Sequence, residues 1–229
     1  GREALDEDRV LELARVHQGA PRRIFFTRAV VGLVELAHRA KARRQGDARL
    51  EEHVVRGLVT EAELLTMNLD GHVVAGDHAA PFEAALHAAI MRMKPRVNAI
   101  TRIHARVANI FSVTDRKLEP VHNDGSFFAG GVTVFYLPDL ISTAQLGEEV
   151  ATTMGDQPAV LLRGNGEVTV GRAVPEAVMM AIYLEEAAEI LYGALQIGTP
   201  IPLTIDEAVK RQVEALPPVD LERAWDYFK

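Results

Sequence analysis

Four short segments hold the side chains that could do chemistry. Glu83 sits in Pro81-Phe82-Glu83-Ala84-Ala85-Leu86-His87, Arg102 and His104 flank Ile103, His122 and Asn123 follow Pro120-Val121, and Asn165 stands between Gly164 and Gly166. An imidazole moves a proton near neutral pH, and a guanidinium offers paired N–H groups to a carboxylate or an oxyanion. As metal ligands the set is uneven. A guanidinium has no lone pair to give, and an amide oxygen suits magnesium or calcium better than zinc. The chain has no cysteine, which excludes disulfides, thiolate zinc sites and a cysteine nucleophile.

Structural roles are open to the same residues. Arg102 and Glu83 can neutralise each other as an internal ion pair, and His104 can be a satisfied histidine at a strand end. His87 lies four residues after Glu83 on one helical face and reads as packing or surface. The Gly164-Asn165-Gly166 turn can be needed for its backbone geometry whatever its side chain does. Glu185 and Glu186 read as one solvated charge and one between subunits.

The elements that must position these residues alternate between helix and sheet. Amphipathic spacing predicts helices over 6–17 and 27–44, and alternation predicts a strand over 53–59, with Thr60 and Glu63 spaced as a capping box. Met67 to Val74 reads as a hairpin turning at Asp70-Gly71. Pro81 opens a helix whose apolar face is Phe82, Leu86, Ile90 and Met93 and which ends before Pro95. Residues 98–103, 131–137 and 159–162 read as the strands of a core sheet, with a helix over 142–154 between the last two. Pro175 opens the longest helix, Gly198 and Pro200 end it, and a last helix spans 206–216. Aromatic residues in the tail over 217–229 are expected to dock on this subunit or on a neighbour.

With 229 residues, 48% of them hydrophobic, the chain is long enough to bury one large core, and a single domain over 1–229 is expected. The net charge of −7 argues against a nucleic-acid surface. Arg39 to Arg44 is the one dense basic cluster and reads as a solvated face. No apolar stretch is long enough to span a bilayer, so a soluble, cytoplasmic protein with no membrane partner is expected.

At Glu83, Pro95, Asn98-Ala99, His104 and Gly164-x-Gly166 the chain resembles the class II aldolase and adducin family, most closely the branch with decarboxylases of hydroxylated aromatic dicarboxylates. The resemblance covers Gly57 to Phe228, and the first fifty residues diverge. It implies an α/β, three-layer αβα class II aldolase-like fold with a central, mainly antiparallel sheet, and a homo-oligomer, usually a cyclic tetramer, with sites between subunits. The family binds zinc, manganese or a similar ion through a His-x-His pair, a third histidine and sometimes a glutamate, and the ion stabilises an enolate-like oxyanion. Carried over, the pair falls on Arg102 and His104, the third histidine on Asn165 and the glutamate on Glu83. At Pro120 to Asn123, where the branch tends to read Pro-Val-Tyr-His, the histidine position holds Asn123.

Three readings follow. In the first, the chain is a carbon–carbon lyase, a decarboxylase or aldolase-like enzyme acting on a hydroxylated aromatic or oxo acid. Arg102 then takes the ion's place beside the oxyanion, His104 or His122 transfers a proton, Glu83 orients or acts as the acid, Asn165 completes the site, and Asn123 and Tyr227 contact the substrate. In the second, the chain is a non-catalytic, adducin-like scaffold whose site is plugged by Arg102 and Glu83. In the third, Glu83, His104 and His122 hold a mononuclear iron or manganese ion. No metal is assigned, Glu83 and His104 being the ligands any ion would keep.

Overall fold

The computed structural model describes residues 24–26, 65–77, 79–214 and 218–228. The helices read over 6–17 and 27–44, the strand over 53–59, the capping box at Thr60 and the basic cluster at Arg39 to Arg44 lie outside the described residues.

Strand β6 (Ala159–Leu162) is buried along its whole length and lies inside a four-stranded sheet ordered β4 (Ala99–Ile103), β7 (Glu167–Gly171), β6, β5 (Thr133–Phe135). The β4–β7 and β7–β6 pairs are antiparallel and the β6–β5 pair is parallel. Side chains alternate across the pleat, so each strand serves two cores. Val160, Leu162, Val168 and Val170 pack on Leu86 and Ile90 of α1 (Ala84–Met93) and on Val150 and Met154 of α3 (Ala144–Met154). Ile103, Ala159 and Leu161 face Ala181, Leu184 and Ala188 of the long helix α4 (Val174–Ile197). The result is helix, sheet, helix in three layers.

Local chemistry accounts for most boundaries. Thr143 caps α3 by accepting from the Leu146 N–H at 3.3 Å, and a proline in the first turn of α4 costs no hydrogen bond there. The hairpin forms between β2 (Leu65–Met67) and β3 (Val73–Ala75), with β1 (Ile24–Phe26) on the other side of β2. Its connection is longer than a two-residue turn. Asn68 Oδ1 accepts from the N–H groups of Asp70 and His72, so an asparagine-capped loop replaces the tight turn expected at Asp70-Gly71.

Several elements depart from expectation. Phe82 belongs to the turn before α1 and is 78% exposed, so it does not join the apolar face of that helix. Strand β7 had no apolar signature because it opens with a glutamate and carries a threonine. The short helix α2 (Ala108–Ser112) and a 3-10 turn over Asp124–Phe128 were not anticipated. After α5 (Ile205–Glu214), the tail forms a helix of its own, α6 (Pro218–Phe228). Trp225 of α6 is buried in the core against α4, while Tyr227 is exposed. No helix among the described residues is long and apolar enough to cross a membrane.

Candidate functional site

Strand β4 presents Thr101 and Ile103 to the α4 side and Arg102 to the opposite side, where Glu83 stands at the N-terminus of α1. The two side chains meet. Arg102 Nε lies 3.2 Å from Glu83 Oε2, and Nη2 donates to Glu83 Oε1 at 3.3 Å. Arg102 Nη1 donates to the Ile103 carbonyl at 2.9 Å. The arginine side chain is 4% exposed and the glutamate 18%, so the pair closes the end of the sheet rather than projecting into water. His87 follows one turn along α1, its Nδ1 3.1 Å from the Glu83 carbonyl. Burial holds its imidazole down to a pKa of about 4, against an opposing pull from the Glu83 backbone and charge.

Just past β4, His104 is exposed and its Nε2 lies 3.1 Å from Asn165 Oδ1. An amide oxygen only accepts, so Nε2 carries the hydrogen of that bond. Asn165 is held in a turn whose two glycines have φ of +67° and +78°. A Cβ on Gly166 would lie 2.1 Å from the Ile103 carbonyl oxygen and 3.0 Å from Arg102 Nη1, so only glycine lets the turn close on β4 at this point. The turn is also tied to α2: Gly164 N–H donates to Ser112 Oγ at 2.9 Å and Gly166 N–H to Asn109 Oδ1 at 3.1 Å.

Helix α2 is in turn fixed by Glu185. The carboxylate of this residue, buried on α4, accepts from the N–H groups of Arg106, Val107 and Ala108 at 2.8–3.1 Å, satisfying donors that the helix start cannot pair internally. Glu185 is therefore neither a solvated charge nor one between subunits. Glu186 beside it is exposed.

Glu167 lies at the start of β7, fully buried, with Oε2 accepting from the Ala105 N–H at 3.3 Å. Burial, and then the charge of Glu185, push its carboxyl up to a pKa of about 8, so it carries its proton at neutral pH.

Comparison with known proteins places this arrangement. The family model for the Class II Aldolase and Adducin N-terminal domain matches residues 52–192. The chain belongs to the class II aldolase and adducin family. It is 32% identical over 133 residues to a 3,4-dihydroxyphthalate decarboxylase of Rhodococcus jostii (strain RHA1), covering 56% of this chain and 54% of that protein. To a protein of the same description from Arthrobacter keyseri it is 33% identical over 157 residues, 62% of each chain. The chain thus spans a little over half the length of these curated relatives. Among solved structures, the l-fuculose-1-phosphate aldolase from Thermus thermophilus superposes with a TM-score of 0.56 at 29% identity, covering 66% of this chain and 78% of that one. The three-layer α/β architecture is that of the class II aldolases.

The divalent ion implied by this family does not fit the residues at the matching positions. Arg102 brings a fixed positive charge, its partner Glu83 is engaged in neutralising it, and Asn165 has its amide oxygen turned to His104. Nor do Glu83, His104 and His122 assemble into an iron or manganese triad. Glu83 pairs with Arg102 and His104 with Asn165, whereas the ligand atoms of His122 gather within 4.8 Å of those of Asp124 and Glu186. Asn123 and Tyr227, read as substrate contacts, are both exposed.

The sequence reading missed Asn109, Ser112 and Glu167, and it gave Glu185 no role in positioning the site. Neither glutamate carried a signal in the sequence: Glu167 opens its strand beside a threonine, and Glu185 sits next to Glu186 in a helix that also carries Glu189. Asn109 and Ser112 gave none either, because the groups that tie them to the site, the N–H groups of Gly164 and Gly166, are distant in sequence.

Proposed function

We propose that this chain is a carbon–carbon lyase of the decarboxylase or aldolase type, acting on a hydroxylated aromatic or oxo acid without an ion at the family's metal position. The observation that carries the reading is the adjacency, across Gly166, of a fixed guanidinium and an exposed, amide-oriented imidazole. The names of the two decarboxylase relatives support the substrate class. In such a step on an oxo acid, or on the keto tautomer of a hydroxylated aromatic acid, the bond to the departing carboxylate breaks, its electron pair moves through the conjugated system onto the carbonyl oxygen, and carbon dioxide leaves. Arg102 stabilises the oxyanion that develops, and His104 delivers a proton to the carbon left behind. Asn165 keeps the imidazole aimed, and Glu83 fixes the guanidinium. His122, the other imidazole read as a proton donor, groups instead with Asp124 and Glu186, and Asn123 and Tyr227 are the proposed substrate contacts.

Assembly into a homo-oligomer, a tetramer by resemblance, belongs to the same proposal. The exposed apolar side chains of Ile197 (92%) and Ile201 (88%), four residues apart where α4 ends, support such a contact.

The test is carbon dioxide release from a panel of hydroxylated aromatic carboxylates, 3,4-dihydroxyphthalate among them. A proton-transfer role for His104 predicts that His104→Ala lowers turnover by about a hundredfold or more. Equal turnover by both proteins would refute the assignment. One observation favours the second reading, a non-catalytic scaffold: Arg102 is almost wholly enclosed and already has the Glu83 carboxylate and the Ile103 carbonyl as partners. That reading predicts no turnover of any member of the panel by the wild-type chain.

A further inference from the structure

On the α4 side of the sheet, the contact between the 3-10 turn and α4 gathers three side chains that the lyase reading leaves without a shared role. His122 and Asp124 flank Asn123 at the start of the turn, and Glu186 projects from α4. Their ligand atoms, one from each residue, all lie within 4.8 Å of one another. Two donors bound to one ion at about 2.1 Å are about 3.0 Å apart when adjacent and about 4.2 Å apart when opposite, so side-chain shifts of a few tenths of an ångström bring the three groups onto a common ion.

A second observation is independent of that grouping. Both ring nitrogens of His122 are shielded from water, and neither has a hydrogen-bond partner among the described residues. A neutral imidazole has one N–H to give and one lone pair to share, and shielding both without a partner is costly. A cation at the lone pair removes half of that cost.

The scaffold holds the three groups at a fixed spacing. Phe127 of the turn stacks on Tyr183 of α4, ring centroids 5.6 Å apart and planes within 6°, and Tyr183 lies one helical turn before Glu186. Gly125 closes the turn over the imidazole, since a Cβ there would stand 3.0 Å from His122 Nδ1.

We propose that His122, Asp124 and Glu186 form a binding site for a first-row divalent cation of the manganese class. Two carboxylates balance its charge, and an oxygen-rich donor set with one imidazole suits manganese better than zinc. Three protein ligands leave coordination positions for water or for an oxygen-bearing acid. None of these residues stands at a position the family resemblance assigned to the metal.

The experiment is titration of chelator-stripped protein with manganese(II), free ion being followed by electron paramagnetic resonance. One ion per chain is expected, with affinity at least about tenfold weaker in Glu186→Gln, whose exposed position spares the fold. Glu189→Gln, an exposed change one turn further along α4, and His104→Ala are expected to bind as wild type does. Nitrogen coupling in the bound-ion spectrum is expected to disappear in His122→Ala. Absence of stoichiometric binding, unchanged affinity in Glu186→Gln, or loss of binding in His104→Ala would each overturn the site. The readout is binding, so its failure leaves the lyase reading standing.

Discussion

Replacing Glu83 by alanine leaves the Arg102 guanidinium, 4% exposed, without its carboxylate. Breaking a fully buried ion pair by removing one partner costs about 3–5 kcal/mol, because the remaining charge is uncompensated. Two features place this pair below that range. Glu83 keeps 18% of its side-chain surface, and its contacts at 3.2 and 3.3 Å are longer than the best charged hydrogen bonds. The Nη1 bond to the Ile103 carbonyl survives the change. A loss of about 2–3 kcal/mol follows, which for a chain of this size lowers Tm by about 4–12 °C. Urea denaturation of wild type, Glu83→Ala and the double variant Glu83→Leu/Arg102→Met measures it. The apolar double variant removes both charges together and should recover most of the loss, since buried pairs are often replaceable by packing. A single variant within about 0.5 kcal/mol of wild type, or a double variant no more stable than the single, would refute the reasoning.

Glu185→Gln weakens three backbone hydrogen bonds at the start of α2 from charged to neutral, and urea denaturation should show a loss of about 2 kcal/mol. For Glu167, the folded pKa of about 8 exceeds the ordinary 4.5, so between those values the folded chain holds a proton that the unfolded chain releases. Its contribution is complete below the unfolded value and is lost as pH rises through the folded one. Glu167→Gln should therefore flatten the fall in stability across that window and be the more stable protein above it, as denaturation at a series of pH values would show. His87 has the opposite sign: its folded pKa of about 4 lies below the ordinary 6.5, so its contribution is present at neutral pH and lost as pH falls through that interval. His87→Leu should make the acid side of the stability profile shallower.

The residues that carry apolar periodicity or a turn signal were legible before the structure. Pro175 with Gly198 bounds α4, and the strands at β4, β5 and β6 follow from their apolar runs. The Arg102–Glu83 ion pair was one of two open readings, and the structure forms it. What was not legible depends on groups distant in the chain. Strand β7 is buried by its neighbours despite Glu167 and Thr169, so tertiary context overrides its composition. Glu185 looks like a surface charge in sequence, and only the approach of residues 106–108 reveals three donors for it. The partnership of His122 with Asp124 and Glu186 likewise depends on where the 3-10 turn packs on α4.

The central claim is that a guanidinium stands where related proteins of this family would be expected to hold an ion. Anomalous diffraction from crystals grown with manganese(II) tests it most directly. The account predicts no anomalous peak within coordinating distance of His104 and Asn165, with Arg102 still paired to Glu83. A peak bonded to His104 Nε2 and Asn165 Oδ1, with the Arg102 side chain swung aside, would contradict it.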